Sequence, residues 1–236
     1  MLMNPHSSQC RVLSNKALRV LCISAVLVKV AACGQPAERS AAGLTIFSPT
    51  LRQALAQRQQ VLSAKRTALS LSDGATVNSC ESYLKARKAG AQIAETVAAQ
   101  LVASEYLLCE AMDLLPAKAS GTGRMPDKLG TRVAKQLDLR TFPSSLGPQL
   151  DAERYTLAAL SDAVKADDVA AAIEDESSTL RFEVVAEADI NRDGKQDWII
   201  WMTDESRDGN YRGYATLVVD DVTASGPLRA TAYSGG

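Results

Sequence analysis

Two cysteines, Cys80 and Cys109, sit 29 residues apart inside a stretch, Asn78 to Leu115, whose apolar residues recur at helical spacing. On one unbroken helix they would be separated by roughly 43 Å, because each residue advances the axis by about 1.5 Å. A disulfide tolerates only about 7 Å between Cα atoms. Pairing therefore requires the helix to break, and Lys88-Ala89-Gly90 is the natural place for it. The segment is expected to fold as two antiparallel helices stapled by a Cys80–Cys109 disulfide.

Such a bond needs an oxidising compartment. The first 32 residues carry Arg11, Lys16, Arg19 and Lys29 and no acid, and residues 17–33 form an apolar run that ends in small residues and a cysteine. The run is too short and too charged to span a bilayer, which takes about 20 apolar residues, and has the layout of an export signal. Val30-Ala31-Ala32-Cys33 resembles the lipobox of bacterial lipoproteins. That resemblance implies removal of residues 1–32, acylation of Cys33 as the new N-terminus and, with Gly34 rather than Asp following, delivery to the periplasmic face of the outer membrane. Several acyl chains on one residue anchor stably. Of five cysteines, Cys10 and Cys22 then leave with the signal, Cys33 takes lipid, and Cys80 and Cys109 remain.

Without the signal, 22 basic side chains face 27 acidic ones, a balance that argues against a nucleic-acid partner. At 46% apolar residues the chain can build a core. Residues 33–48 read as a tether. A helix is predicted from a cap at Ser48 or Thr50 through Leu69 to a stop at Asp73-Gly74, and a shorter one from Pro126 to Leu137. Residues 49–150 are thus expected to be helical. From 151 to 236 the period turns to two, with Leu180, Phe182, Val184 and Ala186 on one face of a strand, Asp197 to Thr203 and Tyr214 to Asp221 as further strands, and Asp208-Gly209 in the hairpin between them. The fold class that follows is α+β, an N-terminal helical hairpin region followed by a C-terminal antiparallel sheet. Trp198 and Trp201 are predicted on opposite faces of their strand.

Asp189, Asn191, Asp193, Gly194 and Asp197 form the pattern D-x-N-x-D-G-x-x-D. Alternate side chains of such a loop converge on one Ca²⁺, the glycine permits the sharp turn, and the next residue, here Lys195, donates its carbonyl. Asp197 would supply the ninth-position oxygen, directly or through water. Ile200 stands where a helix-loop-helix site has its bidentate Glu, so that site is a poor match. An acidic hairpin turn is the alternative, but three carboxylates in one short turn repel, and a turn needs only one or two of these residues. Asp204 and Asp208, in a partial repeat of the pattern, are candidates to lend an oxygen. The strand-flanked loop resembles those of FG-GAP or VCBS-type repeats of exported proteins, and the order of parts resembles that of Gram-negative bacterial lipoproteins; both imply a calcium loop, expected to bind weakly at roughly 10⁻⁴ to 10⁻³ M.

His6, the only histidine, lies in the signal, so Ser-His-Asp and Cys-His nucleophile arrangements are excluded from the mature chain. Ser82-Tyr83-Leu84-Lys85 matches S-x-x-K of penicillin-recognising enzymes without its companion motifs. The expectation is a non-catalytic, calcium-stabilised lipoprotein that binds a protein or glycan partner, one version being an inhibitor or immunity protein against a wall-degrading enzyme. The rival expectation is a hydrolase of wall or glycan substrates acting through carboxylates.

Overall fold

Ser48 starts the first helix as the sequence predicts, its Oγ accepting the Leu51 N–H at 3.3 Å ahead of Pro49. The structure, a computed structural model, describes residues 43–119 and 128–235, all within one compact unit. Strand β1 (Thr45–Ile46) precedes this helix, so the supposed tether already belongs to the fold from Thr45, with Ile46 buried.

The helix predicted from Ser48 to Leu69 is interrupted. It gives α1 (Pro49–Ala56) and α2 (Arg58–Ser63), after which Ala64 turns extended and a small hairpin follows, β2 (Leu69–Ser70) against β3 (Thr76–Val77). Asp73-Gly74 makes that hairpin's turn rather than a helix stop, with Gly74 at φ 85° and the Asp73 carboxylate accepting the Ala75 N–H at 2.9 Å. Leu69, Leu71 and Val77 alternate into the core, which is a strand period.

The break near Gly90 holds. Helix α3 (Cys80–Lys88) stops there with Gly90 at φ 95°, and the return is made by α4 (Val97–Ala103), a 3₁₀ turn at Ser104–Tyr106 and α5 (Leu107–Leu114). The Cys80–Cys109 disulfide joins α3 to α5 with 5.2 Å between Cα atoms, and both cysteines are fully buried. Helix α6 (Leu129–Gln136) replaces the helix predicted to begin at Pro126, a residue outside those described. Two 3₁₀ turns and α7 (Leu157–Leu160) lead into the strands.

These are β4 (Lys165–Ala166), β5 (Ala170–Glu174), β6 (Ser178–Ala188), β7 (Asp197–Ser206), β8 (Arg212–Val219) and β9 (Ala230–Ala232), antiparallel in sequence order, with β1 added to β6 beyond the end of β5. The α+β class with a C-terminal antiparallel sheet is thus what forms. The helices of residues 49–150, however, do not make a separate layer. Leu129, Val133, Leu137, Leu139 and Phe142 cover one sheet face, over Phe182, Val184, Trp198 and Ile200. Leu51, Leu55 and Met112 of α1 and α5 cover the other, over Ala186 and Ile199. Gly130 of α6 lies so close to the Ala170 carbonyl that a Cβ there would collide with backbone.

A β-bulge at Val185 corrects the expected face of β6. Val184 pairs with Ile200 but Ala186 with Ile199, so Leu180, Phe182 and Val184 face α6 whereas Ala186 faces α1. The displaced Val185 carbonyl accepts the N–H groups of Phe47 at 2.9 Å and Ser48 at 3.1 Å, which docks the N-terminal segment on the sheet. The two tryptophans fall on opposite faces as predicted. Trp198 is buried with Nε1 donating to Glu187 at 2.8 Å and the Arg132 guanidinium 4.9 Å over its ring, while Trp201 packs half-buried against the α1 side.

Candidate metal centre

The acidic loop is the connection between β6 and β7, and its backbone is folded by its own side chains. Asp189 Oδ2 accepts the Gly194 N–H at 3.0 Å, Asn191 Oδ1 the Asp193 N–H at 3.0 Å, and Asp193 Oδ1 the Lys195 N–H at 2.8 Å. Arg192 at φ 64° and Gly194 at φ 89° supply the left-handed turns that let the chain curl around these acceptors. Each such carboxylate spends one oxygen on the backbone. The other oxygen of Asp189, Oδ1, is buried without any hydrogen-bond partner. A buried, unsatisfied carboxylate oxygen is costly, and a cation is the ligand type that would satisfy it.

Asp197 is placed differently from its neighbours. It is 0% exposed, and both oxygens are engaged: Oδ2 accepts the Ile190 N–H at 2.8 Å and Oδ1 the Asp221 N–H at 2.9 Å. It therefore ties the start of the loop and the chain after β8 to the first residue of β7. Lys195 sends its ammonium to Asp221 Oδ2 at 2.5 Å; the ion pair raises the lysine pKa and lowers that of Asp221.

Asp220 was not among the residues the motif singles out. Trp198 pairs with Val219, so Asp197, which opens β7, and Asp220, which follows the last residue of β8, lie at the same sheet end. Asp220 is exposed, and partial desolvation together with the nearby carboxylates of Asp197 and Asp193 raises its pKa. The acids closing "LVVDD" were the available signal, but only the strand register shows where they arrive.

Asp204 and Asp208 do not serve this loop. Asp204 lies seven residues along β7 from Asp197, roughly 23 Å at the rise of a strand, and Asp208 is farther on, in the exposed β7–β8 hairpin. Asp204 is buried and accepts from Ser145 N at 2.6 Å, Ser145 Oγ at 2.7 Å and Tyr211 Oη at 3.1 Å. It is a satisfied structural carboxylate at the opposite sheet end. The Ser82 hydroxyl of the S-x-x-K match likewise has a structural task, bonding the Ser79 N–H at 3.2 Å in the capping box that opens α3.

Among the described residues no three His, Cys, Asp or Glu side chains form a ready cluster for a metal ion, and no helix is long and apolar enough to cross a membrane. Cys33 and the signal lie outside the described residues. Beside the loop, Ile190 shares the wall of a 360 Å³ cleft with Asp113, Leu114, Val218, Thr231 and Tyr233. No family model, curated protein or solved structure matches the chain.

Proposed function

We propose that the protein is a non-catalytic, calcium-stabilised lipoprotein, anchored through Cys33 at the periplasmic face of the outer membrane, which binds a protein or glycan partner. The observation that carries the calcium reading is the buried, partnerless Oδ1 of Asp189 in a loop whose acceptors alternate as a calcium loop requires. Asp189, Asn191, Asp193 and Asp197, with the carbonyl of Lys195, would hold the ion, which would neutralise the gathered carboxylates and fasten the β6–β7 connection. The cleft walled by Ile190 would offer a partner apolar side chains, Leu114 and Val218 among them, beside the polar groups of Asp113 and Tyr233. An inhibitor of a wall-degrading enzyme is one form this binding would take.

Calcium calorimetry on the full-length chain, with thermal melts in calcium and in chelator, tests the metal. Heat of binding and a raised melting temperature that both disappear in Asp193→Ala are expected. No heat at millimolar calcium would remove the reading. Partner binding is tested by capture from periplasm of a specific enzyme or wall fragment, which is expected to be enriched over a version of the protein altered at Ile190.

A further inference from the structure

Two buried ionisable groups stand close together in the disulfide-bearing helices without being paired. Glu110 of α5 is 5% exposed and accepts the Tyr83 hydroxyl at 2.5 Å. Arg87, one helical turn beyond Tyr83 on α3, is 6% exposed, with its guanidinium 5.9 Å from the Tyr83 ring. Its donors are used unevenly. Nη1 donates to the Ala91 carbonyl at 3.2 Å and to Gln92 Oε1 at 2.5 Å, and Nη2 to the Tyr233 carbonyl at 2.8 Å, while Nε is buried with no partner among the described residues. A neutral Glu110 leaves the guanidinium to these uncharged acceptors. An ionised Glu110 is a buried carboxylate, and the cation that acts on it, Arg87, has an idle donor.

The Tyr233 carbonyl belongs to a strap, residues 233–235 after β9, that lies against the end of α3. Tyr233 donates its N–H to the Thr216 carbonyl at 2.8 Å and its hydroxyl to Asp113 Oδ2 at 2.8 Å. Gly235, at φ 100°, sits so close to the Arg87 carbonyl that a Cβ there would stand 2.4 Å away. Thr216 also bonds Glu110, so the strap and the carboxyl meet on the same β8 residue. Around the pair, Lys88 is held by Asp113 at 2.6 Å, and Tyr106 lies 4.8 Å from the Tyr83 ring with Arg66 6.0 Å over it and Glu105 beside. The β2–β3 hairpin contributes only apolar Leu69, Leu71 and Val77.

We infer that Glu110 and Arg87 form a pH-operated latch on this strap: with Glu110 neutral the guanidinium holds the Tyr233 carbonyl, and with Glu110 ionised it turns its free Nε to the carboxylate and lets the strap go. The proton leaves the Glu110 carboxyl for solvent, and the guanidinium compensates the charge left in the core. Burial sets the Glu110 pKa above the ordinary 4.5, so the strap is fastened at acidic pH and released as pH rises through the folded value. Release takes Tyr233 and Ser234 out of the wall of the 360 Å³ cleft. What that does to a partner rests on the binding reading above; the latch itself does not.

Nuclear magnetic resonance on the full-length chain tests the latch, following the Arg87 Nε–H and the Tyr233 and Ser234 amides through a pH titration, with hydrogen exchange of the Tyr233 amide. In wild type the three signals are expected to move with one midpoint above 4.5. Protection of the Tyr233 amide, corrected for the intrinsic pH dependence of exchange, is expected to fall about tenfold across it. Glu110→Gln is expected to keep that protection within about twofold at every pH. Tyr83→Phe leaves the carboxyl in place but removes the hydrogen bond that favours its ionised form, so its midpoint is expected to move upward, a readout that remains if Glu110→Gln does not fold. Strap signals that titrate alike in wild type and Glu110→Gln, wild-type protection that is constant with pH, or a midpoint unmoved in Tyr83→Phe would each overturn the inference.

Discussion

The guanidinium of Arg87 donates to the carbonyl of Tyr233 at 2.8 Å, 146 residues away in sequence, and lies 5.8 Å over the same tyrosine's ring. It also donates to the Ala91 carbonyl at 3.2 Å and stands 5.9 Å from the Tyr83 ring. With no carboxylate in salt-bridge contact among the described residues, this buried cation is held by backbone carbonyls, the Gln92 side-chain oxygen and aromatic faces, and it fastens the segment after β9 to the disulfide-bearing helices.

Removing that fastener is expected to be costly. Arg87→Ala deletes charge-assisted hydrogen bonds in a buried setting, and we expect a loss of about 2 to 3 kcal/mol in urea unfolding. Arg87→Lys should recover only part of it, because a point charge cannot serve two carbonyls in a planar fork. Equal midpoints for wild type and Arg87→Ala would show that the C-terminal segment is not anchored there.

The disulfide closes a loop of 29 residues, for which chain-entropy reasoning gives roughly 3.5 kcal/mol of stabilisation. Replacing both cysteines by alanine should lower the unfolding free energy by about that amount. Tyr83 and Glu110, which flank the bond, are expected to become more protease-accessible in the same variant.

Glu110 gives a pH signature. Burial raises its pKa above the ordinary 4.5, only partly opposed by the hydrogen bond from Tyr83. A carboxyl whose folded pKa lies above its unfolded one favours folding fully below pH 4.5 and loses that contribution as pH rises through the folded value. Glu110→Gln keeps an acceptor for Tyr83 but cannot ionise. The stability of wild type relative to Glu110→Gln should therefore fall as pH rises above the ordinary 4.5 in urea titrations, whereas a difference that stays constant with pH would contradict the raised pKa.

Calcium at 10 mM, acting on a site of roughly 10⁻⁴ to 10⁻³ M affinity, would stabilise the fold by about 1.4 to 2.7 kcal/mol. For a chain of this size that is a melting shift of several degrees. The shift should vanish in Asp189→Ala and persist in Asp204→Asn, whose buried carboxylate sits at the far end of β7. Loss of the shift in Asp204→Asn would place the metal elsewhere.

Gly130→Ala is expected to cost about 2 to 3 kcal/mol through overpacking, because the new methyl would meet the Ala170 backbone and push α6 off β5. A circular-dichroism melt unchanged from wild type would show that this helix can shift without penalty.

Features set by neighbours in the chain were legible before any coordinates. Gly90 ends a helix because only a residue without Cβ takes φ 95° without strain, so the break that permits the Cys80–Cys109 bond could be placed. The curl of Asp189 to Lys195 is likewise local, made by side chains reaching backbone two to five residues on. The Leu69–Val77 hairpin was available too, in the alternation of Leu69 and Leu71 before Asp73-Gly74, but the apolar stripe leading into it has helical spacing and the two periods share Leu69.

Register was not legible. The bulge at Val185 turns Ala186 to the opposite face because its carbonyl is taken by Phe47 and Ser48, residues far away in sequence. Asp204 looked as close to the loop as Asp220, being nearer in sequence. An extended strand carries Asp204 away at about 3.3 Å per residue, whereas antiparallel pairing returns Asp220 to the loop's own end of the sheet. Spacing along the chain specifies which side chains can share a turn; which distant carboxylate joins them depends on where two strands pair, and that is settled by the burial of both sheet faces.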